Sequence, residues 1–202
     1  DISVDGKIAR DLPAALERVL SESEAEAVDV VGHSLGGTTL YAYLASHGDG
    51  RIGRCITIGS PLQFHLPASA HAVALLSRGP LLAAALPKRL PLRRFCELGL
   101  MTNLVFPARP HFNLDNVERG MLLRMMRDGV DDGSLRELIQ LVSWSHAGGF
   151  RSLDGSVDYR GGMARIRAPM LLLGAAADQH VPPESLNEVA AALGSREKEI
   201  RI

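Results

Sequence analysis

One stretch, Ala27 to Gly37, AVDVVGHSLGG, constrains this chain more than any other. Its first half, Ala27 to Gly32, is a short β-branched run ending at glycine and reads as a buried strand. From Leu35 to His47 the spacing turns helical, with Leu35, Leu40, Tyr43 and Leu44 as the apolar positions. Gly-x-Ser-x-Gly by itself is a weak signal, because 20 glycines and 15 serines let composition alone mimic it. Its place at a strand-to-helix junction makes it stronger.

The physical reading of that junction is steric. A serine there occupies a strained turn, and a side chain at Gly32 or Gly36 is expected to collide with neighbouring backbone. The Ser34 hydroxyl is lifted clear of the sheet at the N-terminus of a helix. Developing negative charge then meets the helix dipole and free N–H groups, with the N–H of Leu35 as an oxyanion donor. The plainer alternative is an inert serine on a glycine-rich turn.

Other segments fit the same architecture. Residues 7–20 place Ile8, Leu12, Ala15, Leu16, Val19 and Leu20 on one helical stripe, with Pro13 suited to a first turn. Ser21 to Glu26 reads as a polar connector. Arg54 to Ser60 and Pro169 to Asp178 read as further apolar strands, and KEIRI at the end begins a fourth. Strands that are apolar throughout need cover on both faces. Between the second and third strands, helical patterns occupy roughly 69–86, 91–101, 114–128 and 134–145, the last opening on a Ser134-to-Glu137 capping box. Pro182-Pro183 opens a last helix ending near Gly194. The alternation predicts an α/β fold with a parallel sheet.

Composition narrows the function. Lys+Arg is 22 against Asp+Glu 23, a formal net charge of −1, and aromatics are only 4%, so nothing points to nucleic acid. No run of 18 purely apolar residues marks a transmembrane helix. Cys55 and Cys96 are too few for a disulfide framework; one bridge is arithmetically possible, and two free buried thiols fit as well. No histidine pair has metal-ligand spacing with a carboxylate. Asp128, Asp131 and Asp132 with Gly133 lack the ligand spacing of a calcium loop, and Asp154 and Asp158 fit turns.

VDVVGHSLGG, with DLPAALERVL before it and a strand-loop aspartate later, resembles the α/β-hydrolase fold in its lipase and esterase branch, over almost the whole chain. SLDGSVDYRGGMARIRAPMLLLGAAADQHVPPES also resembles polyhydroxyalkanoate synthases and related bacterial acyl-chain enzymes. Those polymerases place cysteine at the nucleophile, so Ser34 favours ester hydrolysis. It also argues against the aspartate nucleophile of haloalkane dehalogenases and epoxide hydrolases. The resemblance implies a partial α/β-hydrolase fold: a core of 1–65 and 151–202, incomplete at both ends, with 66–150 a helical cap.

It further implies a serine hydrolase acting on small-molecule carboxylic esters with a hydrophobic acyl part, through an acyl-enzyme on Ser34. An acyltransferase of the synthase type, or a non-catalytic binding protein of this fold, stays open as an alternative. No metal or organic cofactor is implied, and membrane contact and compartment stay open. The order nucleophile, acid, histidine makes Asp178 the acid, holding the imidazole in one tautomer; the alternative is an aspartate capping the helix near Pro182. None of the seven histidines fits the base: His180 is two residues from Asp178, His33 adjoins Ser34, and His47 ends a helix. His65, His71, His111 and His146 fit surface or packing roles, with His146 near Trp144 also a pocket-border candidate.

The resemblance places about four strands and the second oxyanion N–H ahead of the serine turn. The chain is thus expected to be an internal piece of a longer enzyme, nearly inactive alone, with the strand at 27–31 an unpaired apolar edge. In the insertion, Leu66–Leu86 and Met121–Met126 could accept an acyl chain or simply form its core, and Arg78, Lys88, Arg89, Arg93 and Arg94 could face anionic lipid.

Overall fold

The computed structural model describes residues 2–66, 68–77, 88–91, 93–94 and 116–202. The expected helix over 91–101 in most of its length, the end of the one over 69–86, Arg78, Cys96 and His111 lie outside them. In chain order the principal elements are α1 (Leu12–Ser23), β1 (Val28–His33), α2 (Leu35–His47), β2 (Ile52–Ile58), α3 (Ala68–Leu76) and β3 (Arg89–Leu90). They continue with α4 (Arg119–Gly129), β4 (Gly133–Ser134), α5 (Leu135–Trp144), β5 (Met170–Leu173), α6 (Pro183–Ala192) and β6 (Lys198–Arg201).

The chain divides into two compact units, one of residues 1–67 with 139–202 and one of residues 68–138. The first is built on a four-stranded sheet in the order β1-β2-β5-β6, every pair parallel. Register aligns the strand ends: His33 faces Ile58, Ile58 faces Leu173, and Leu173 faces Arg201. The ladder runs one residue further, through Ser34 N–H to Ile58 O at 2.8 Å, Gly59 N–H to Leu173 O at 2.9 Å and Gly174 N–H to Arg201 O at 2.9 Å. The loops after β1, β2 and β5 therefore leave the sheet side by side at its C-terminal edge, where open parallel sheets hold ligands.

The expectation that every strand is covered on both faces fails at β1. Its burial alternates: Val28, Val30 and Gly32 lie on a covered face, while Asp29, Val31 (65% exposed) and His33 lie on an open one. An apolar run marks the strand but not what packs over each of its faces. Pro13 stands in the first turn of α1, as expected, and further helical turns precede it. A turn at Val4–Gly6 and a π turn at Lys7–Asp11, closed by Leu12 N–H on Lys7 O, lead into α1. The wider turn carries the backbone past a residue with no N–H to give. Ile8, Leu16 and Leu20 from the predicted stripe are buried, whereas Val19 is exposed. The helix also takes in part of the expected connector, stopping at Ser23, after which Glu24 turns left-handed at φ 55°.

Helix α2 runs through the middle of this unit, with Leu40, Tyr41, Ala42, Leu44 and Ala45 all buried. A helix apolar on every side needs cover on every side. Part of that cover is an aromatic cluster. Trp144 is wholly buried, meets Phe150 edge-on at 4.9 Å between ring centroids, and donates its indole N–H to Arg151 O at 2.8 Å. Arg165 closes the C-terminal end of α2 by donating to Ala45 O at 2.9 Å.

In the second unit β3 and β4 form a two-residue antiparallel ladder, and Leu135 N–H bonds Lys88 O. Helix α4 buries Leu122 and exposes Met121 and Met125. At the start of α5, Ser134 accepts the N–H of Arg136 at 3.2 Å, the capping half of the predicted box.

Candidate active site

The strand-to-helix turn at Ser34 is backbone-strained. Ser34 has φ 51° and ψ −122°, one of two non-glycine residues with positive φ among those described. That combination belongs to the first corner of a II′ turn, which glycine dominates. Both peptide units of Ser34 are held. Its N–H donates to Ile58 O, and its carbonyl accepts from Gly37 N–H at 3.1 Å and Thr38 N–H at 3.2 Å. The first two amides of α2, on Leu35 and Gly36, have no carbonyl one turn back in the helix to bond. They sit at the positive end of the helix, beside a half-buried serine.

Of the two glycines expected to be sterically constrained, one is and one is not. A Cβ on Gly32 would stand 2.6 Å from Gly37 Cα and 2.7 Å from its nitrogen, as expected. Gly36 is exposed, and a Cβ there meets nothing within 4 Å. The second constrained position is Gly37, where a Cβ would lie 2.2 Å from Ser60 Oγ and 2.7 Å from Ser60 Cβ. Ser60 follows β2 and is itself buried, so α2 closes directly on the β2 exit.

Asp178 lies in the loop after β5. Its Oδ1 accepts the backbone N–H groups of His180 at 2.8 Å and Val181 at 3.0 Å. Its Oδ2 lies 3.6 Å from where a Cβ on Gly59 would be. Gly59 is the residue after Ile58, which holds the Ser34 amide. The serine and the acid thus leave neighbouring strand ends separated by β2 alone. The capping alternative does not describe Asp178: the N-cap of α6 is Pro182, without a side-chain cap, and Asp178 closes the turn before it.

The other candidates separate. His33 ends β1 exposed, and His180 is exposed beside Asp178. His47 stacks on Tyr43 at 4.8 Å and bonds Tyr43 O at the end of α2. His146 is exposed while Trp144 is wholly buried. Asp154 accepts from Ser152 and Ser156, which hold its carboxyl down at about 2, and Asp158 caps a one-turn helix at Tyr159–Gly162. Asp128 pairs with Arg127, and Asp131 accepts from Asp132 N–H. Among the described residues no three His, Cys, Asp or Glu side chains could hold a metal ion, and no helix is long and apolar enough to cross a membrane. A cavity of about 550 Å³ runs beside β1, lined by Leu12, Val31, His33, Leu35, Gly36 and Leu40 among others.

Thr38 and Ser60 carry no motif and escaped the sequence reading. Only the fold brings Ser60 against Gly37 and the Thr38 hydroxyl against Pro61.

A parallel sheet whose first strand breaks at a strained serine, with an acid beyond the next strand but one, defines the α/β-hydrolase class. The chain belongs to the alpha/beta hydrolase fold family, whose sequence profile matches residues 8–202. No curated protein matches the sequence. Among solved structures it is similar to a monoacylglycerol lipase from Paleococcus ferrophilus, at 18% identity and a TM-score of 0.64, covering 98% of this chain and 64% of that one. An esterase from Exiguobacterium antarcticum aligns at 18% identity and TM-score 0.55, over 92% of this chain and 62% of the esterase. An enol-lactonase from Burkholderia xenovorans LB400 aligns at 19% and 0.54, over 98% and 64%. These likenesses are of fold, and the chain spans less than two thirds of each of these proteins.

Proposed function

We propose that the chain carries the nucleophile and the acid of a serine hydrolase acting on carboxylic esters with a hydrophobic acyl part. Ser34 Oγ attacks the ester carbonyl, and the N–H of Leu35 holds the oxyanion as it forms. Collapse expels the alcohol and leaves an acyl-enzyme on Ser34, which water then hydrolyses. Asp178 fixes the tautomer of the imidazole that takes the Ser34 proton and stabilises its charged form. None of the seven histidines of the sequence is assigned the role of that base. The insertion over 66–150 is assigned the role of cap and of acyl-chain selectivity.

The observation that carries this reading is the backbone of Ser34. A non-glycine residue at φ 51°, ψ −122° costs about 1–3 kcal/mol, and strain of this kind gathers where function needs it. The test is labelling of the full-length protein by a fluorophosphonate, beside hydrolysis of p-nitrophenyl butyrate. Ser34→Ala is expected to abolish labelling and lower kcat by about 10⁴-fold or more. Labelling that survives in folded Ser34→Ala protein would overturn the assignment. The neighbouring monoacylglycerol lipase and esterase folds support the substrate class.

A further inference from the structure

Thr38 is wholly buried on the first turn of α2, and its hydroxyl reaches Pro61 O at 2.7 Å, with Ser34 O 3.4 Å away. Pro61 lies three residues beyond Ile58, whose carbonyl takes the Ser34 N–H. Between them the chain turns at Gly59, φ 52°, and Ser60 Oγ folds back to donate to Ile58 O at 3.1 Å. The β2 exit is therefore tied to α2 twice, once through the main chain of Ser34 and once through Thr38. A strained residue keeps its conformation only while its surroundings over-determine it. If the β2 exit drifts, Ile58 O moves with it, and the grip on the Ser34 amide loosens.

We infer that Thr38 is a positioning residue: by donating to Pro61 it holds the β2 exit against the first turn of α2 and keeps Ser34 Oγ aimed for attack. The inference rests on the reading of Ser34 as nucleophile. The hydroxyl is the part that matters, because Pro61 is buried and a methyl in its place leaves the carbonyl without a donor. Thr38 is wholly buried, so its loss acts on the geometry of attack and spares binding.

The test compares Thr38→Val, Thr38→Ala and Thr38→Ser in the full-length protein, with p-nitrophenyl butyrate and a fluorophosphonate as probes and circular dichroism for folding. Thr38→Val is expected to lower kcat about 10- to 100-fold, as small misplacements of reacting groups do, with KM changed less than about threefold. The fluorophosphonate labelling rate falls in step, and Thr38→Ser restores both to within about twofold of wild type. Should Thr38→Val fail to fold, Thr38→Ala, which sets no methyl against the carbonyl, is expected to show the same loss. Unchanged kcat in either folded variant, or a folded Thr38→Ser as impaired as Thr38→Val, overturns the inference. So does failure of both hydroxyl-free variants to fold, which would make the hydroxyl a folding determinant only. A wild-type protein that neither hydrolyses the ester nor labels would instead sink the serine assignment, and this inference with it.

Discussion

Gly32 lies so close to Gly37 that a Cβ on the first would stand 2.6 Å from the Cα of the second. Backbone faces backbone there, so no side chain can turn aside to relieve the contact. Gly32→Ala is expected to destabilise by about 1–3 kcal/mol, as overpacking does, measured by urea unfolding. Gly36→Ala, with open space around it, is expected to be neutral or to stabilise by up to about 1 kcal/mol through helix propensity. Gly37→Ala meets Ser60 instead, so adding Ser60→Gly is expected to recover part of its loss. Equal effects at Gly32 and Gly36 would contradict this geometry.

Ser34 sits in a conformation that glycine adopts freely and serine does not. Ser34→Gly is therefore expected to raise unfolding stability by about 1–3 kcal/mol while abolishing ester hydrolysis. Ser34→Ala keeps the Cβ and the strain, so it should lose activity without that gain. The pair separates the cost of the backbone from the chemistry of the oxygen. A Ser34→Gly protein no more stable than Ser34→Ala would show that the turn stores no strain.

The serine turn was legible because three local signals coincide there: an apolar run, a glycine corner and a change of period from strand to helix. The place of Asp178 in the loop after β5 was legible for a similar reason, since an apolar run gives way there to a polar loop. Which glycine of the Gly36-Gly37 doublet is constrained was not legible, since the answer lies with Ser60, far along the chain. Thr38 and Pro61 are 23 residues apart, and nothing local in either residue announces the bond between them. The edge place of β1 was expected, but which of its faces stays open was not legible. Local pattern marks a strand, while distant elements decide which of its faces is covered.

The two carboxylate oxygens of Asp178 face different neighbours. Oδ1 closes a turn on His180 and Val181, while Oδ2 lies toward the β2 exit. Asparagine keeps an oxygen for the turn and loses the charge. Asp178→Asn is thus expected to melt within about 1 kcal/mol of wild type yet lose about 10⁴-fold in kcat, the scale seen when a triad acid is neutralised. Asp178→Ala adds a stability loss of about 0.5–2 kcal/mol from the unclosed turn. Full activity in folded Asp178→Asn would reduce Asp178 to a turn residue.

Cys55, on β2, is buried, and burial, followed by the charges of Asp49 and Asp29, pushes its thiol from 9.0 up to about 12. The folded chain holds a proton that the unfolded chain releases above pH 9. The resulting stability is fully present below about pH 9 and is lost as pH rises toward about 12. Cys55→Ala removes the thiol and with it this dependence, while leaving a small cavity that weakens the protein at neutral pH. The stability gap between wild type and Cys55→Ala is therefore expected to shrink as pH is raised from 9 to 11, read from urea unfolding at each pH. Burial also raises the pKa of Tyr41; the Cys55 charge contributes least to that shift, so most of it is common to both proteins and drops out of the difference. A gap that stays constant would mean the thiol ionises as readily in the sheet as in the unfolded chain, and that water reaches β2 from a side the packing closes.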